Sequence, residues 1–271
     1  MSLKTLLFTA SALALVACDS PTAPPPVRLE VSVVRPPPPI LRLAEWIVFR
    51  SARAGAPGYD EIYRMNQDGT GLVRLTNSPG YDGEPSLSRD GSKVAFASFR
   101  EGTYCCGVYV MNAADGSGVL PLTTASGNDN QPAWSPDGSK IAFTGAHDGY
   151  HDIYVMNAAD GSGVVRLTAD SAWAGYPAWS PDGSKISFSS NRTWNSQIYV
   201  INADGSGRAR LTTNNYWDYD PTWSPDGSQI AFTSRRDGND EIYVMNAADG
   251  SGVLRLTANT AFDGEASWAR R

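Results

Sequence analysis

The chain has 271 residues, with 22 Lys and Arg against 28 Asp and Glu, and a formal charge of −6 at pH 7. This acidic balance argues against a nucleic-acid partner, because binding to phosphates needs basic surfaces. The two histidines, His147 and His151, are too few for a site that holds zinc or manganese with three histidine ligands. We expect no metal or other cofactor, with Ca²⁺ held by carboxylates as the alternative.

The N-terminus is predicted to be a lipoprotein signal peptide, residues 1–17. Lys4 precedes an apolar stretch that ends at Val16 and is too short to span a bilayer as a helix. The sequence Leu15-Val16-Ala17-Cys18 resembles the lipobox of bacterial lipoproteins, in which the signal is cleaved before a cysteine that is then acylated. An ordinary signal peptide with a chance cysteine is the alternative. The resemblance implies an exported protein that is held to a cell-envelope membrane only by lipid on Cys18.

Residues 18–44 are predicted to be a tether. They contain Pro24-Pro25-Pro26 and Pro36-Pro37-Pro38-Pro39, and such runs favour an extended polyproline conformation that spaces an anchor from a domain. Apolar and polar residues alternate between the two runs, over 27–33, which would suit one short strand of unknown placement.

Residues 45–271 contain one unit that recurs five times, at a spacing of about 44 to 47 residues. Each unit has an apolar strand, a second strand ending in asparagine, a short third strand ending in Leu-Thr, and a fourth strand marked in four units by tryptophan. No segment has a sustained helical period, so the class is all-β, and four short strands per unit predict a propeller blade. The fourth strand is marked by Leu87, Trp134, Trp179, Trp223 and Trp268.

Two recurring turns predict antiparallel pairing. In Ser135-Pro136-Asp137-Gly138 and its copies, proline presets φ and glycine takes the position that needs a positive φ. Asn157-Ala158-Ala159-Asp160-Gly161 and its copies join the second and third strands in the same way. Since strands alternate in direction, both turns lie on one face, called here the turn face. The other two loops of each blade lie on the opposite face, and because they vary in length and chemistry we call it the variable face.

The phrase from Pro132 to Phe143, followed by Asp152 to Asn157, resembles the WD40-like (PD40) repeat of TolB-type propellers. The resemblance covers residues 45–268 and implies a β-propeller. The first copy of the fourth strand departs from the pattern, with Leu87 in place of tryptophan and Arg89 in place of proline. TolB has six blades and a preceding α/β domain, whereas five copies of each strand predict five blades here, so the resemblance does not carry over TolB's own role.

The ends of the domain predict how the ring closes. The domain opens on the strand that begins at Trp46 and ends on the strand of Trp268, which is the fourth strand of a unit. We therefore predict that the N- and C-terminal strands pair within one blade, which leaves no open edges.

The variable face is the predicted binding face, because variable loops on a rigid scaffold usually carry function. Its loops bring acidic and aromatic residues to the mouth of the central channel, where they could receive a basic protein segment or a hard cation. The predicted rim comprises Asp82, Glu84, Asp129, Trp173, Tyr176, Trp217, Asp218, Asp220, Asp263 and Glu265. Further aromatic residues on this face are Tyr59, Tyr81, Tyr104, Tyr150, Trp194, Tyr216 and Phe262.

A structural role for the rim aspartates is the competing interpretation. A basic residue recurs at one repeat position on the same face, and arginine's planar fork suits a bidentate pair with a carboxylate. These candidate partners are Arg53, Arg100, His147, Arg192 and Arg236.

Cys105 and Cys106 are adjacent in an exported chain, so they form either a strained vicinal disulfide or two reduced thiols.

The sequence has no nucleophile elbow, no metalloprotease motif and no histidine-rich metal site, so we predict a protein that is not an enzyme. The first hypothesis is a monomeric scaffold that binds another envelope protein through the variable face. A binder of glycan or cation is the second, and an enzyme that degrades glycan with rim carboxylates is the third.

Overall fold

The computed structural model describes residues 46–53, 60–100, 106–124, 127–147 and 149–268. The predicted signal peptide, Cys18 and the tether therefore lie outside the described residues. All the described residues belong to one compact unit, Leu41–Arg271. In this part of the chain the regular elements are strands, and no helix is long and apolar enough to cross a membrane.

The strands form five antiparallel sheets, each of which is one blade. The first blade contains β1 (Trp46–Ser51), β2 (Glu61–Asn66) and β3 (Val73–Arg74). The second contains β4 (Asp82–Leu87), β5 (Lys93–Ser98), β6 (Gly107–Asn112) and β7 (Leu120–Pro121). The third contains β8 (Asn130–Trp134), β9 (Lys140–Gly145), β10 (Asp152–Asn157) and β11 (Val165–Arg166). The fourth contains β12 (Ala174–Trp179), β13 (Lys185–Thr193), β14 (Asn195–Asn202) and β15 (Ala209–Arg210). The fifth contains β16 (Asp218–Trp223), β17 (Gln229–Ser234), β18 (Glu241–Asn246) and β19 (Leu254–Arg255).

The all-β class and the five-bladed propeller are confirmed. Each strand pairs with the next along the chain within its blade, as the two hairpin turns predict. The tryptophan strands β8, β12 and β16 lie innermost, since their indole Nε1–H groups donate to carbonyl oxygens of the preceding blade's inner strand. Trp134 donates to Ser86 at 3.1 Å, and Trp179 to Ala133 at 3.2 Å.

The hydrophobic core lies between neighbouring blades rather than at one centre. Between the second and third blades, Val108 and Leu122 pack with Phe143 and Met156 in one buried cluster. Three further clusters occupy equivalent positions and join the first blade to the second, the third to the fourth, and the fourth to the fifth. The apolar residues on the two faces of a blade therefore pack against two different neighbouring blades. This explains why both faces of the strands are apolar.

The seam between the fifth and first blades is the exception. Leu256 is 54% exposed, whereas the leucine at its repeat position in each of the first four blades is 7 or 8% exposed. Ile47 of β1 is also exposed. Trp268 still donates from Nε1 to the carbonyl of Thr222 at 3.3 Å, as its counterparts do, so the C-terminal segment lies at the innermost position.

The predicted pairing of the terminal strands is absent from the described ladders, in which β1 pairs with β2 alone. Ordering a residue costs about 1–2 kcal/mol, and a hydrogen bond returns about 0.5–1.5 kcal/mol net. A short terminal strand therefore needs apolar burial to pair, and here Leu256 and Ile47 stay exposed.

Candidate functional site

Each innermost strand contains a bulge that places one residue in the left-handed region of φ. The ladder shifts register between Gly83 and Ser86 in β4, and the equivalent shift occurs in β8, β12 and β16. A bulge re-aims a side chain and often lies beside a functional site. The five residues occupy one repeat position, have φ values between 51° and 57°, and are called here the bulge ring: Glu84, Gln131, Tyr176, Asp220 and Glu265.

The bulge ring joins neighbouring blades around the channel. The Gln131 N–H donates to Glu84 Oε2 at 2.7 Å, and the Tyr176 N–H donates to Gln131 Oε1 at 2.8 Å. The Asp220 N–H instead donates to Ser189 Oγ, at 3.1 Å. These three bulged N–H groups thus find an acceptor in the blade before them, which satisfies donors that the broken ladder leaves unpaired.

The carboxylates of the bulge ring repel one another. Burial, together with the charge of Glu265, raises the pKa of Asp220 to about 6. Burial also raises the pKa of Glu84, against the opposing effects of the Gln131 N–H and Arg50. Burial and then the charges of the three ring carboxylates raise the pKa of the Tyr176 hydroxyl. The ring is therefore a site of excess negative charge.

The aspartates that lie two residues before the bulge ring have a different environment. Asp82 and Asp218 are fully buried, and Nη2 of Arg100 and of Arg236 donates to both carboxylate oxygens of its aspartate, at 3.1–3.2 Å. Asp129, which is also fully buried, lies 2.9 Å from Nε2 of His147. We call these three the paired aspartates.

The basic partners are themselves held by the blade core. The Arg100 guanidinium lies 4.9 Å from the ring centroids of both Phe96 and Tyr109, and its Nε donates to Ser98 Oγ at 3.0 Å. Arg236 repeats this arrangement. Stacking and a hydrogen bond fix the plane of the guanidinium before the carboxylate is bound. The competing structural interpretation therefore describes the paired aspartates better than a binding rim does.

Two slots of this repeat position are filled differently. The fourth blade has Ala174 where the others have aspartate, and its Arg192 lies 3.4 Å from Asp170 instead. In the C-terminal segment, Asp263 accepts a hydrogen bond from Asn259 Nδ2 at 2.6 Å.

The structure thus divides the predicted rim. Asp82 and Asp218 are buried in ion pairs with arginine, and Asp129 is fully buried beside His147, so none of the three carboxylates is exposed to a ligand. Glu84, Tyr176, Asp220 and Glu265 come together in the bulge ring. Trp173 and Trp217 lie further out, in loops of the fourth and fifth blades.

Those two tryptophans belong to a larger cluster of aromatic residues on the variable face. Trp173 packs edge-on against Tyr176 of the bulge ring, with ring centroids 5.8 Å apart. Trp194 is 96% exposed, Trp217, Tyr216 and Phe262 are about half exposed or more, and Trp173 is partly buried. We call this cluster the aromatic sector: Trp173, Trp194, Tyr216, Trp217 and Phe262.

The position of Trp194 depends on the longest hairpin of the molecule's described part, formed by β13 and β14. Trp194 lies at the tip with a φ of 78°, a conformation that is costly for a bulky residue. Asn191 Oδ1 accepts the Trp173 N–H at 2.9 Å, and Gln197 Nε2 donates to the Tyr216 carbonyl at 2.7 Å. The hairpin is therefore fixed to the loops on both sides, and the sector is held in place before any partner binds.

Other predicted site residues lie partly outside the described residues. Cys106 is buried, but Cys105 is not described, so the vicinal disulfide stays a prediction. Tyr59 and Tyr104 also fall outside the described ranges. Within those ranges, no group of three or more His, Cys, Asp or Glu side chains is arranged to hold a metal ion.

Fold and site together define a five-bladed β-propeller with a rigid, acidic and aromatic face. The resemblance seen in the repeats is confirmed: the model of the TolB beta propeller domain (PD40) matches residues 119–221. No curated protein matches the chain.

Solved structures extend this comparison. The chain is similar to TolB from Acinetobacter baumannii, with 26% identity and a TM-score of 0.68 over 80% of this chain and 53% of that one. It is similar to a putative TolB from Agrobacterium tumefaciens, with 27% identity and a TM-score of 0.66 over 73% of each chain. The chain thus spans about half the length of the Acinetobacter protein.

A third similar structure is hydrazine synthase from Kuenenia stuttgartiensis, at 16% identity and a TM-score of 0.65 over 79% of this chain and 39% of that one. At this identity the likeness shows the fold alone. The TolB-like propeller, with its exposed aromatic residues, fits a protein-binding scaffold.

Proposed function

We propose that the chain is a protein-binding scaffold of the bacterial cell envelope, anchored to a membrane by lipid on Cys18 and monomeric in its working form. The observation that carries this proposal is the aromatic sector beside the bulge ring. Neither feature involves the paired aspartates, whose charges are used within the blades.

The aromatic sector supports a protein partner because of its size and rigidity. Tryptophan and tyrosine supply large contact areas at a low cost in side-chain entropy, and they dominate the energetics of protein interfaces. Trp194 is held at the hairpin tip by its backbone, whose N–H donates to the Asn191 carbonyl at 3.0 Å, while its side chain is left almost fully exposed. A partner that covers Trp194, Tyr216 and Trp217 would bury them with little rearrangement of the loops.

The bulge ring supports a partner with a basic segment. Its carboxylates carry excess charge at neutral pH, and the nearest arginine, Arg50, already donates to the Tyr81 hydroxyl at 2.9 Å. An incoming lysine or arginine would relieve the repulsion between Asp220 and Glu265, which gives complementarity as well as faster association.

Glycan binding is the second candidate, and the flat exposed faces of Trp194 and Trp217 favour it. The two candidates share the aromatic sector but differ in the bulge ring, since a neutral glycan gains nothing from its charge. Enzymatic use of the ring carboxylates remains the weakest of the three hypotheses.

The test is a crosslinked pull-down of the full chain from envelopes of its own host. Three variants are compared with the parent: Trp194→Ala with Trp217→Ala, Asp220→Asn with Glu265→Gln, and Tyr150→Ala. Tyr150 is a matched control because it is a half-exposed aromatic residue on the same face, in the third blade. We expect one protein to be captured by the parent and by the Tyr150 variant, and lost from the first two variants.

A Cys18→Ser arm tests the anchor. We expect this variant to leave the membrane fraction and still to capture the partner in solution. Capture that survives loss of Trp194 and Trp217 would contradict the proposed face. An oligosaccharide bound in place of a protein would favour the second candidate, and a Cys18→Ser protein that stays with the membrane would refute the lipid anchor.

A further inference from the structure

The opposite end of the channel, on the turn face, holds a cavity of about 290 Å³. Its walls are the inner-strand tryptophans Trp134, Trp179, Trp223 and Trp268, with the prolines of the neighbouring turns around its mouth. Each of these residues recurs at an equivalent position of the repeat, and packing within the propeller explains its presence. Packing does not explain the empty volume that these residues enclose, which is close to that of a small ligand site.

The indoles that line this cavity are fixed, and their polar groups are satisfied. Each of the four Nε1–H groups donates to a carbonyl of the preceding blade, at 3.1 to 3.3 Å. The indoles therefore offer a ligand only ring surface, which suits a flat ring, whereas the rest of the exposed lining of the cavity is mostly polar.

The first unit breaks the symmetry of this wall at two positions. Leu87 stands where the other units have tryptophan, and Arg89 stands where Pro136, Pro181 and Pro225 stand in their turns. The smaller leucine widens one side of the cavity. Arg89 lines the cavity and also the two neighbouring grooves between blades, so its side chain crosses the mouth.

Arg89 has no hydrogen bond or ion pair with any described residue, although acidic turns surround it. Its neighbour Asp90 is occupied by Ser88 and Ser92, whose hydroxyls lie 2.7 and 2.9 Å from its oxygen. The equivalent Asp137 is bound in the same way by Ser135 and Ser139, and these hydrogen bonds lower its pKa to about 2. The Arg89 side chain is exposed and its guanidinium donates to no described residue, so its donors are available to a ligand at the mouth of the tryptophan-lined cavity.

We propose that this cavity binds a small carboxylate carried on a six-membered ring, the chemistry shared by aromatic acids and uronic acids. The Arg89 guanidinium binds the carboxylate in bidentate fashion, and the ring lies against an indole face. The ring is required, because the ionised turn aspartates around the mouth disfavour a simple anion that has no stacking energy. The site lies on the face opposite the aromatic sector, so the proposal stands or falls separately from the scaffold function.

The experiment titrates the full chain with benzoate and with glucuronate, and follows binding by calorimetry and by quenching of tryptophan fluorescence. The informative variant is Arg89→Pro, which installs the residue that three equivalent turns already contain and should therefore keep the fold. We expect at least one of the two acids to bind the parent, and Arg89→Pro to weaken that binding by about tenfold or more. Benzamide, which lacks the charge, should bind both proteins weakly and equally.

Two further results would support the site. Arg89→Lys should restore part of the affinity, since it keeps the charge without the fork, and Leu87→Trp should reduce affinity by filling the cavity. Thermal melts of each variant verify that the propeller is intact. The proposal fails if neither acid binds the parent at millimolar concentration, if Arg89→Pro leaves the affinity unchanged, or if benzamide binds as well as benzoate.

Discussion

The paired aspartates and the bulge ring lie two residues apart on the same inner strands, yet their charges have opposite consequences. Asp218 is fully buried and is neutralised by two hydrogen bonds from Arg236, whereas Asp220 has no cationic partner of its own and is repelled by Glu265. The first arrangement holds a blade together and leaves no charge for a ligand. The second costs stability and leaves charge at the channel mouth. Burial of a carboxylate therefore indicates a binding function only when no cation is built in beside it.

Breaking the buried pair in the fifth blade should have the largest effect. Asp218→Ala leaves the Arg236 guanidinium without its carboxylate, and we expect the free energy of unfolding to fall by about 2–4 kcal/mol. Urea denaturation measures it. Asp263→Ala is the matched control, because the same repeat position there is only partly buried and bonded to Asn259, and it should cost less than about 1 kcal/mol. If both variants lost the same free energy of unfolding, the ion pair with Arg236 would not be the reason that Asp218 matters.

Removing charge from the bulge ring should act in the opposite direction. Asp220→Asn abolishes the repulsion with Glu265, so we expect the free energy of unfolding at pH 7 to rise by about 1–2 kcal/mol. The same denaturation series measures it. A loss of stability would mean that the Asp220 carboxylate makes a favourable contact that outweighs the repulsion.

The pH dependence sharpens the contrast. The folded-state pKa of Asp220, about 6, lies above its value in the unfolded chain, so the folded protein binds more protons between about pH 4 and pH 6. The destabilising effect of the Asp220 charge therefore decreases as the pH falls through 6, and it returns as the pH rises through 6 again. We expect the difference between Asp220→Asn and the parent to shrink from pH 7 to pH 5 in melts. A difference that is constant across this range would contradict the raised pKa.

The smallest effect is expected where the repeat lacks its aspartate. Arg192 faces Ala174 and lies 3.4 Å from Asp170, with about half of its side chain exposed. An exposed ion pair of this kind contributes little, so Arg192→Ala should change the free energy of unfolding by less than about 0.5 kcal/mol. Arg236→Ala, measured beside it, should cost several times more. Similar costs for the two arginines would show that stacking on the blade aromatics, rather than the aspartate, is what each arginine contributes.

Much of the architecture follows from the repeat. The period of about 45 residues, the tryptophan strands and the two glycine turns are local signals, and each occurs often enough to be recognised without a structure. The recurring arginine position was also visible, because arginine and aspartate recur together in the second and fifth blades. The sequence also assigns Trp173, Trp217, Asp220 and Glu265 to the variable face, since loop direction alternates with strand direction.

Other features depend on contacts between blades. The positive φ of Glu84 and Gln131 arises from the bulge and from a hydrogen bond between two units, and no pattern within one unit encodes it. The exposure of Trp194 follows from the length of β13 and β14 and from their ties to neighbouring loops. The position of Arg89 at the channel mouth depends on the closed arrangement of the blades, because a turn residue faces the channel axis only after the ring has formed.

The sequence by itself determined the blade count, the order of strands within a blade and the two faces, because hydrophobic period and turn chemistry act over a few residues. The tertiary structure alone decided which carboxylates are neutralised, which seam stays open at Leu256, and which aromatic residues are exposed. These depend on where one blade meets the next, and the physical reason is that charge compensation and burial are set by distances across the seams rather than by neighbours along the chain.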